Sequence, residues 1–170
     1  HAIVKTTVPC EEACPVGAIR KNERGVAELD FRKCIFCGKC FMSCPFGAVM
    51  ERSQIVSVLL AMKRGEKLVA MVAPAADRQF PGTVEQLLTA CIKAGFSDVI
   101  EVARGAEKTT EHETAEFLER MEKDSKTFMT TSCCPAYVNL IGKHLPELIN
   151  NVSLTPSPMV YTHEIIRETN

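Results

Sequence analysis

The spacing of apolar residues changes near residue 53. Before it, "GVAELDF" alternates apolar and polar residues after the turn-forming "KNERG", which is typical of a short hairpin strand. After it, "SQIVSVLLAMKRGEK" has apolar residues at helical spacing, and Ser53 and Gly65 are predicted to mark the helix ends. The pattern predicts a small α+β domain over residues 1–52 and a second domain over residues 53–170.

Strand-like and helix-like segments alternate along the second domain. The predicted strands are "KLVAMVAP", "SDVIEVA" and "TFMTT". The predicted helices are "GTVEQLLTACIKAG", "AEKTTEHETAEFLERMEKD", "PAYVNLIGKH" with Pro135 at its first position, and "SPMVYTHEIIRE". This alternation predicts an α/β domain with a parallel sheet and crossover helices.

The first domain contains an internal repeat. "CPVGAI", which begins at Cys14, recurs as "CPFGAV" from Cys44. Two copies of one structural unit are therefore expected within residues 1–52.

Composition and charge exclude two classes of function. The apolar runs are far shorter than the roughly 20 residues that span a bilayer, so no membrane span is expected. The formal net charge is -1 and basic residues are interspersed with acidic ones, so nucleic-acid binding is not expected either. The chain begins at His1 rather than Met, and we expect a further segment upstream.

The chain has nine cysteines, six of them within the first 44 residues. With an odd count, no recognisable secretory signal and clustered Cys-x-x-Cys spacing, metal binding is favoured over a disulfide framework. Cys91 is isolated on a predicted helix and is most simply a core residue.

The segment "CIFCGKCFMSCP" has the spacing C-x2-C-x2-C-x3-C-P. In bacterial two-cluster ferredoxins, three thiolates of such a run bind one 4Fe-4S cluster and the fourth binds the other. The spacing predicts a ferredoxin-like domain in which one cluster has the ligands Cys34, Cys37, Cys40 and Cys14. A zinc knuckle or a group of structural thiols is the alternative.

The first repeat is incomplete. It supplies Cys10 and Cys14, but Val4 and Thr7 stand where regular spacing would place two more cysteines. We predict a second 4Fe-4S cluster bound by Cys10, Cys44 and residues upstream of His1.

A ferredoxin-like unit followed by an α/β region containing "TSCCP" resembles the FeFe-hydrogenases, which interconvert protons, electrons and hydrogen. The resemblance implies that Cys134 ligates the 4Fe-4S part of the active cluster, called the H-cluster, and that Cys133 donates protons beside it. A thiol suits that role because an unperturbed cysteine, with a pKa of about 8.5, holds its proton at neutral pH yet releases it at modest cost. The alternative is that both are core cysteines at a strand end. A related family of cluster-assembly factors usually lacks the first cysteine of the pair, so the presence of Cys133 disfavours that family.

The resemblance also implies a proton relay. Glu113 and Glu116 stand 20 and 17 positions before Cys133, Arg120 stands 13 before it, and Ser153 stands 20 after it, as in the family. The first three share one face of a predicted helix. Without the match to TSCCP, these residues would be interpreted as a solvated helix face.

Two smaller matches concern the pocket of the di-iron unit. "APA" resembles the family segment that lines it, which implies cofactor contacts for Ala73 and Pro74; a strand end with a turn proline is the alternative. "SLTPSPM" resembles a Ser-Pro-Gln segment in which Met159 replaces glutamine and Pro156 replaces lysine, and this match implies a cofactor contact for Met159. Tyr137 also stands where tryptophan is usual, so a divergent branch is expected.

Three H-cluster ligands lie on family motifs that these 170 residues do not contain, so this polypeptide is predicted to be inactive by itself. The expected partners are the remainder of the hydrogenase chain and a ferredoxin-like or other redox donor protein. A cytoplasmic, anaerobic location is implied. The alternative is a hydrogen-sensing, redox-sensing or electron-transfer module without turnover.

Overall fold

The computed structural model describes residues 8–126 and 128–169. In chain order the elements are α1 (Pro9–Glu12), β1 (Ile19–Lys21), β2 (Ala27–Leu29), α2 (Lys39–Ser43), α3 (Ile55–Lys63), β3 (Val69–Val72), a 3₁₀ turn (Pro74–Ala76), α4 (Val84–Lys93), β4 (Asp98–Glu101), α5 (Ala103–Lys123), α6 (Pro135–His144), a second 3₁₀ turn (Pro146–Asn151) and α7 (Pro158–Thr169). The chain is mixed α/β, as predicted.

These elements form two compact units. Residues up to Arg52, together with Cys134–Val152, form the first, called the cysteine unit. Ser53–Cys133 and the residues from Ser153 onward form the second, called the sheet unit. The proposed domain division into residues 1–52 and 53–170 stays a prediction.

A hairpin gives the cysteine unit its sheet. β1 pairs with β2 in antiparallel register, with Ile19 opposite Leu29. The side-chain oxygen of Asn22 accepts the backbone N–H groups of Arg24 at 2.9 Å and Val26 at 3.0 Å, which builds the turn. The turn signal in "KNERG" is therefore confirmed.

The internal repeat is confirmed at the level of local geometry. In each copy, the glycine three residues after the cysteine is left-handed, with φ of 59° and 60°. Each copy also aims a backbone N–H at its cysteine sulfur: Ala18 N lies 3.2 Å from Cys14 Sγ, and Ala48 N lies 3.3 Å from Cys44 Sγ.

A parallel strand pair lies at the centre of the sheet unit. β3 and β4 pair from Val69 opposite Asp98 to Val72 opposite Glu101, and α4 connects them. Thr83 begins α4 with a capping box, because its hydroxyl accepts the N–H of Gln86 while the Gln86 side chain accepts the N–H of Thr83. The predicted parallel pairing with a crossover helix is confirmed for these two strands.

Two sequence predictions are wrong in detail. "TFMTT" forms no strand over its described residues, 128–131, where the structure has an isolated bridge at Thr130. The backbone oxygen of Thr130 accepts the N–H of Ser153 at 2.8 Å. Ser53 is not the N-cap of α3, which is Gln54, although the Ser53 hydroxyl accepts the N–H of Ile55 at 3.3 Å.

The two long helices of the sheet unit, α5 and α7, pack closely at Gly105. A Cβ added there would lie 2.2 Å from the Pro158 backbone oxygen and 2.3 Å from Thr162 Oγ1. Thr162 has no exposed surface. The missing side chain at residue 105 therefore allows the contact that fixes α7 against α5.

Candidate functional site

A cavity of about 820 Å³ in the cysteine unit is lined by four thiols, those of Cys14, Cys34, Cys37 and Cys40. These are the four residues that the spacing predicts for one cluster. Apolar side chains, including Ile19 and Ile35, line the rest of it. The cavity combines soft sulfur donors with a largely apolar wall, which is the chemistry that an iron-sulfur cluster requires.

Backbone N–H groups point at several of these sulfurs. The Phe36 N–H lies 3.4 Å from Cys34 Sγ, in addition to the Cys14 contact in the first repeat. Phe36 adopts φ of 58°, a left-handed conformation that is uncommon for a bulky residue. Such N–H groups stabilise negative charge on sulfur, so the donor set fits a thiolate-bound cluster.

Cys10 and Cys44, which are predicted to bind a second cluster, lie outside that cavity. Cys10 is buried in α1. Backbone N–H groups, with Ala48 contributing most, lower the pKa of the Cys44 thiol. Val4 and Thr7 lie outside the described residues, so the remaining ligands of this predicted cluster stay a hypothesis.

Within residues 8–126 and 128–169, no three His, Cys, Asp or Glu side chains come close enough together to hold a single metal ion.

Of the predicted relay residues, Glu116 on α5 has a carboxylate with several hydrogen-bond partners. Its oxygens accept hydrogen bonds from Ser153 Oγ at 2.6 Å, Thr155 Oγ1 at 3.1 Å and the Leu154 N–H at 3.1 Å. Arg120 completes the group with an ion pair at 2.5 Å. Three of the four predicted relay residues thus meet at one carboxylate.

These contacts control the charge of Glu116. Its side chain is 19% exposed. That burial by itself would raise the pKa of Glu116, but hydrogen bonds from Ser153, Leu154, Arg120 and Thr155 outweigh it and lower the pKa below its usual value. Glu116 is therefore a carboxylate at neutral pH.

The fourth relay residue, Glu113, lies one turn earlier on the same face of α5. Its Oε1 accepts the backbone N–H of Ser132 at 3.4 Å. The Ser132 hydroxyl donates in turn to the Thr155 backbone oxygen at 2.6 Å. Ser132 thus contacts both Glu113 and the segment that holds Glu116, and it directly precedes Cys133.

The paired cysteines occupy different local environments. Cys133 is exposed, and its sulfur lies 3.8 Å from Thr131 Oγ1. Cys134 is exposed as well and is the N-cap of α6, where Pro135 follows at the first helical position. The proton-donor and ligand roles of this pair stay predictions.

A second cavity, of about 260 Å³, lies at the carboxyl ends of β3 and β4 in the sheet unit. Ala73 and Pro74 line it, together with Asp77 and Glu101. The carboxyl ends of parallel strands are where α/β sheets bind ligands. Met159, the third predicted cofactor contact, does not line this cavity and is 51% exposed.

Sequence reasoning missed Ser132 and Thr155. Both lie within three residues of predicted site residues, and this proximity was the available signal. Their bonding partners are 19 to 39 positions away, so the pairing depends on the fold.

In the described part of the chain, no helix is both long enough and apolar enough to cross a bilayer.

Two known protein families match separate parts of the chain. Residues 66–170 match the family described as the C-terminal domain of the iron only hydrogenase large subunit. Residues 8–48 match the 4Fe-4S dicluster domain.

Two relatives match most of the chain. The NADP-reducing hydrogenase subunit HndD of Solidesulfovibrio fructosivorans is 30% identical over 74% of this chain and 24% of its own length. Iron hydrogenase 1 of Clostridium pasteurianum is 31% identical over 67% of this chain and 22% of its own length. The chain therefore spans about a quarter of the length of these relatives.

A third relative matches a shorter part of the chain. An iron-sulfur protein of Rhodospirillum rubrum is 46% identical over 48 residues, which are 28% of this chain and 25% of its own length. The hydrogenase family match, in contrast, covers more than half of the 170 residues. The chain belongs to the iron-only hydrogenase large-subunit family.

Proposed function

We propose that this chain is part of an iron hydrogenase that reversibly reduces protons to hydrogen, with electrons relayed through 4Fe-4S clusters. Residues 1–52 form its ferredoxin-like domain, and residues 53–170 begin its catalytic domain. The observation that carries the proposal is the hydrogen-bonded group at Glu116, which includes Ser153 and Arg120. A helix face that merely contacted solvent would not need these buried partners.

Protons move through this group toward Cys133. The Ser153 hydroxyl donates to Glu116 at 2.6 Å and accepts the Thr155 N–H at 3.0 Å, so its proton is directed at the carboxylate. Arg120 holds that carboxylate in place. Glu113 accepts the N–H of Ser132, the residue directly before Cys133, and is the relay carboxylate that passes the proton to this thiol.

Iron is held by the cysteines. Cys14, Cys34, Cys37 and Cys40 bind one 4Fe-4S cluster, and Cys10 and Cys44 contribute to a second. Cys134 supplies one ligand of the H-cluster, and Ala73, Pro74 and Met159 contact its di-iron unit. When bound, the H-cluster supplies the redox chemistry that joins protons and electrons.

The remaining H-cluster ligands come from the remainder of the hydrogenase chain, so the 170-residue polypeptide by itself evolves no hydrogen. Electrons come from a ferredoxin-like or other redox donor protein. The protein acts in an anaerobic cytoplasm.

One observation favours a second candidate function. The lowered pKa of Glu116 makes this carboxylate hard to protonate, which is a disadvantage in a fast proton relay. A hydrogen-sensing, redox-sensing or electron-transfer module without turnover would tolerate that property.

The test uses the full-length protein that contains this chain, matured with its iron cofactors. We expect infrared bands of iron-bound carbon monoxide and cyanide together with hydrogen evolution. The Cys133→Ser variant should keep the bands and lose at least 100-fold in turnover, because serine releases its proton poorly. Bands without turnover in the unaltered protein would favour the sensing or electron-transfer function, and absence of the bands would contradict the H-cluster assignment.

A further inference from the structure

The C-terminal end of α6 is bound to the loop that carries Cys34. Lys143 Nζ donates to the backbone oxygens of Cys34 at 2.6 Å and Phe31 at 3.1 Å. His144 Nε2 lies 2.8 Å from the Lys33 backbone oxygen. Because a carbonyl oxygen only accepts hydrogen bonds, this nitrogen must carry a proton. We call these three contacts the carbonyl clamp.

The clamp also places a positive charge beside the loop. The Lys143 ammonium lies 5.0 Å from the centroid of the Phe36 ring, within range of a cation–π interaction. Phe36 stacks on Phe31, with ring centroids 6.3 Å apart. The ammonium is thus held in one place by two carbonyls and an aromatic ring, although the Lys143 side chain is exposed.

The part of the loop that the clamp holds is strained. Phe36 has φ of 58°, and this conformation directs its N–H to Cys34 Sγ. A left-handed conformation at a bulky residue persists when surrounding contacts enforce it. Lys143 contacts both the ring of Phe36 and the carbonyl of Cys34, two residues earlier, so it holds the strained residue and the backbone that precedes it.

Helix α6 therefore connects two predicted iron ligands. It begins immediately after Cys134, has 10 residues and ends on the Cys34 loop. A helix of that length spans about 15 Å. The clamp fixes its far end, so the separation between Cys134 and the Cys34 loop is set by a rigid element.

We propose that Lys143 and His144 are positioning residues for the 4Fe-4S cluster at Cys34, and that the Lys143 charge raises the reduction potential of that cluster. This inference rests on the proposed function, since it requires a cluster bound by Cys14, Cys34, Cys37 and Cys40. A cluster gains one negative charge on reduction, and a nearby cation stabilises the reduced form more than the oxidised form. The effect is moderate because solvent screens an exposed charge.

The test is a redox titration, followed by electron paramagnetic resonance, of the full-length protein with its clusters loaded. Lys143→Met removes the charge and keeps an apolar side chain, whereas Lys143→Arg keeps the charge. We expect Lys143→Met to lower the midpoint potential of one cluster. The expected shift corresponds to a few-fold decrease in the equilibrium constant for reduction, where a tenfold change equals about 59 mV for one electron. Lys143→Arg should keep the midpoint potential close to that of the unaltered protein.

The control is Lys63→Met, which removes an exposed lysine from the last position of α3, in the sheet unit. It should leave every potential unchanged. An equal shift in Lys63→Met, or an unchanged potential in Lys143→Met, would overturn the proposed effect of the charge.

His144→Phe tests positioning separately, because it removes the donor and fills similar space. We expect faster amide hydrogen exchange across residues 31–36 and faster iron loss to a chelator, with a smaller change in potential than in Lys143→Met. Unchanged exchange and iron retention would overturn the positioning role. If the unaltered protein retained no iron at these cysteines, the proposed function would fail as well, whereas normal loading with insensitive variants would reject the clamp alone.

Discussion

The Ser153 hydroxyl donates a hydrogen bond of 2.6 Å to Glu116 Oε2 across 37 positions of sequence. Ser153 is 3% exposed, so this hydroxyl has little access to water and its orientation is set by protein contacts. The Ser153 oxygen also accepts the N–H of Thr155. The hydroxyl proton of Ser153 is therefore the one donated to Glu116. The bond thus has a defined direction.

Removing the Ser153 hydroxyl should interrupt proton delivery. We expect Ser153→Ala in the matured full-length protein to lower hydrogen evolution about 100-fold, the usual contribution of a positioned proton-transfer group. Infrared bands of the H-cluster should be unchanged. Ser125→Ala, at an exposed turn, is the control and should retain activity; equal rates in the two variants would rule out a relay through Ser153.

The acid stability of the protein should depend on Glu116. Since folding lowers the pKa of Glu116, its stabilisation is complete above the unfolded value, 4.5, and disappears as the pH falls through the lower folded value. We expect Glu116→Gln to lower the free energy of unfolding by about 1–3 kcal/mol at pH 7 and to weaken its decline in acid. Urea unfolding between pH 3 and pH 7 measures both effects.

Glu119→Gln is the matched control for that measurement. Glu119 forms an ion pair with Lys123 at the same i,i+4 spacing, but its side chain is 65% exposed. Solvent screening should limit its effect to a smaller loss than that of Glu116→Gln. Equal losses would mean that the contacts at Glu116 contribute no more than an ordinary surface pair.

The close packing of α5 on α7 should not tolerate a methyl group. Because a Cβ at residue 105 would overlap the Pro158 and Thr162 backbones, we expect Gly105→Ala to destabilise the chain by about 1–3 kcal/mol. Gly142→Ala, on α6, is the control: it meets no atom within 4 Å and should stabilise by up to about 1 kcal/mol. Thermal unfolding measures both, and a neutral Gly105→Ala would contradict the packing described above.

The thiols of the cysteine cavity should be required for iron. We expect Cys37→Ala to lose the electron paramagnetic resonance signal of one reduced 4Fe-4S cluster and about four irons per chain. Cys91→Ala, on α4, should retain both, since that thiol lies in the sheet unit. Iron analysis after anaerobic reconstitution distinguishes these outcomes; equal iron in both variants would remove Cys37 from the ligand set.

The helices and the first two strands of the sheet unit were predictable because each has a local signal. Apolar spacing, the glycines and Pro135 are all readable within a few residues of the element they bound. The relay set was implied by the family resemblance, through positions counted from Cys133, and the structure brings Ser153 and Arg120 to Glu116. Their roles in proton transfer stay predictions.

The third strand was predicted wrongly for a physical reason. "TFMTT" is rich in β-forming residues, but strand propensity becomes a strand only where a neighbouring strand supplies hydrogen-bond partners. The described part of that segment forms an isolated bridge at Thr130 rather than a ladder. Local sequence carries no information about whether such a neighbour is present.

The clamp residues were beyond prediction for a related reason. Basic residues at a helix C-terminus are common, because they interact with the helix dipole. Lys143 and His144 therefore gave a signal for a helix end and none for their partners, which lie more than 100 positions earlier.

The duplicated turns at Cys14 and Cys44 give both sulfurs nearly identical first neighbours, with N–H contacts of 3.2 Å and 3.3 Å. A duplicated segment is symmetric to a first approximation and so cannot by itself favour electron flow toward one end. Any preferred direction of electron transfer between the predicted clusters would then originate outside these turns, where the first repeat has Val4 and Thr7 in place of cysteines and α6 is bound beside the Cys34 loop.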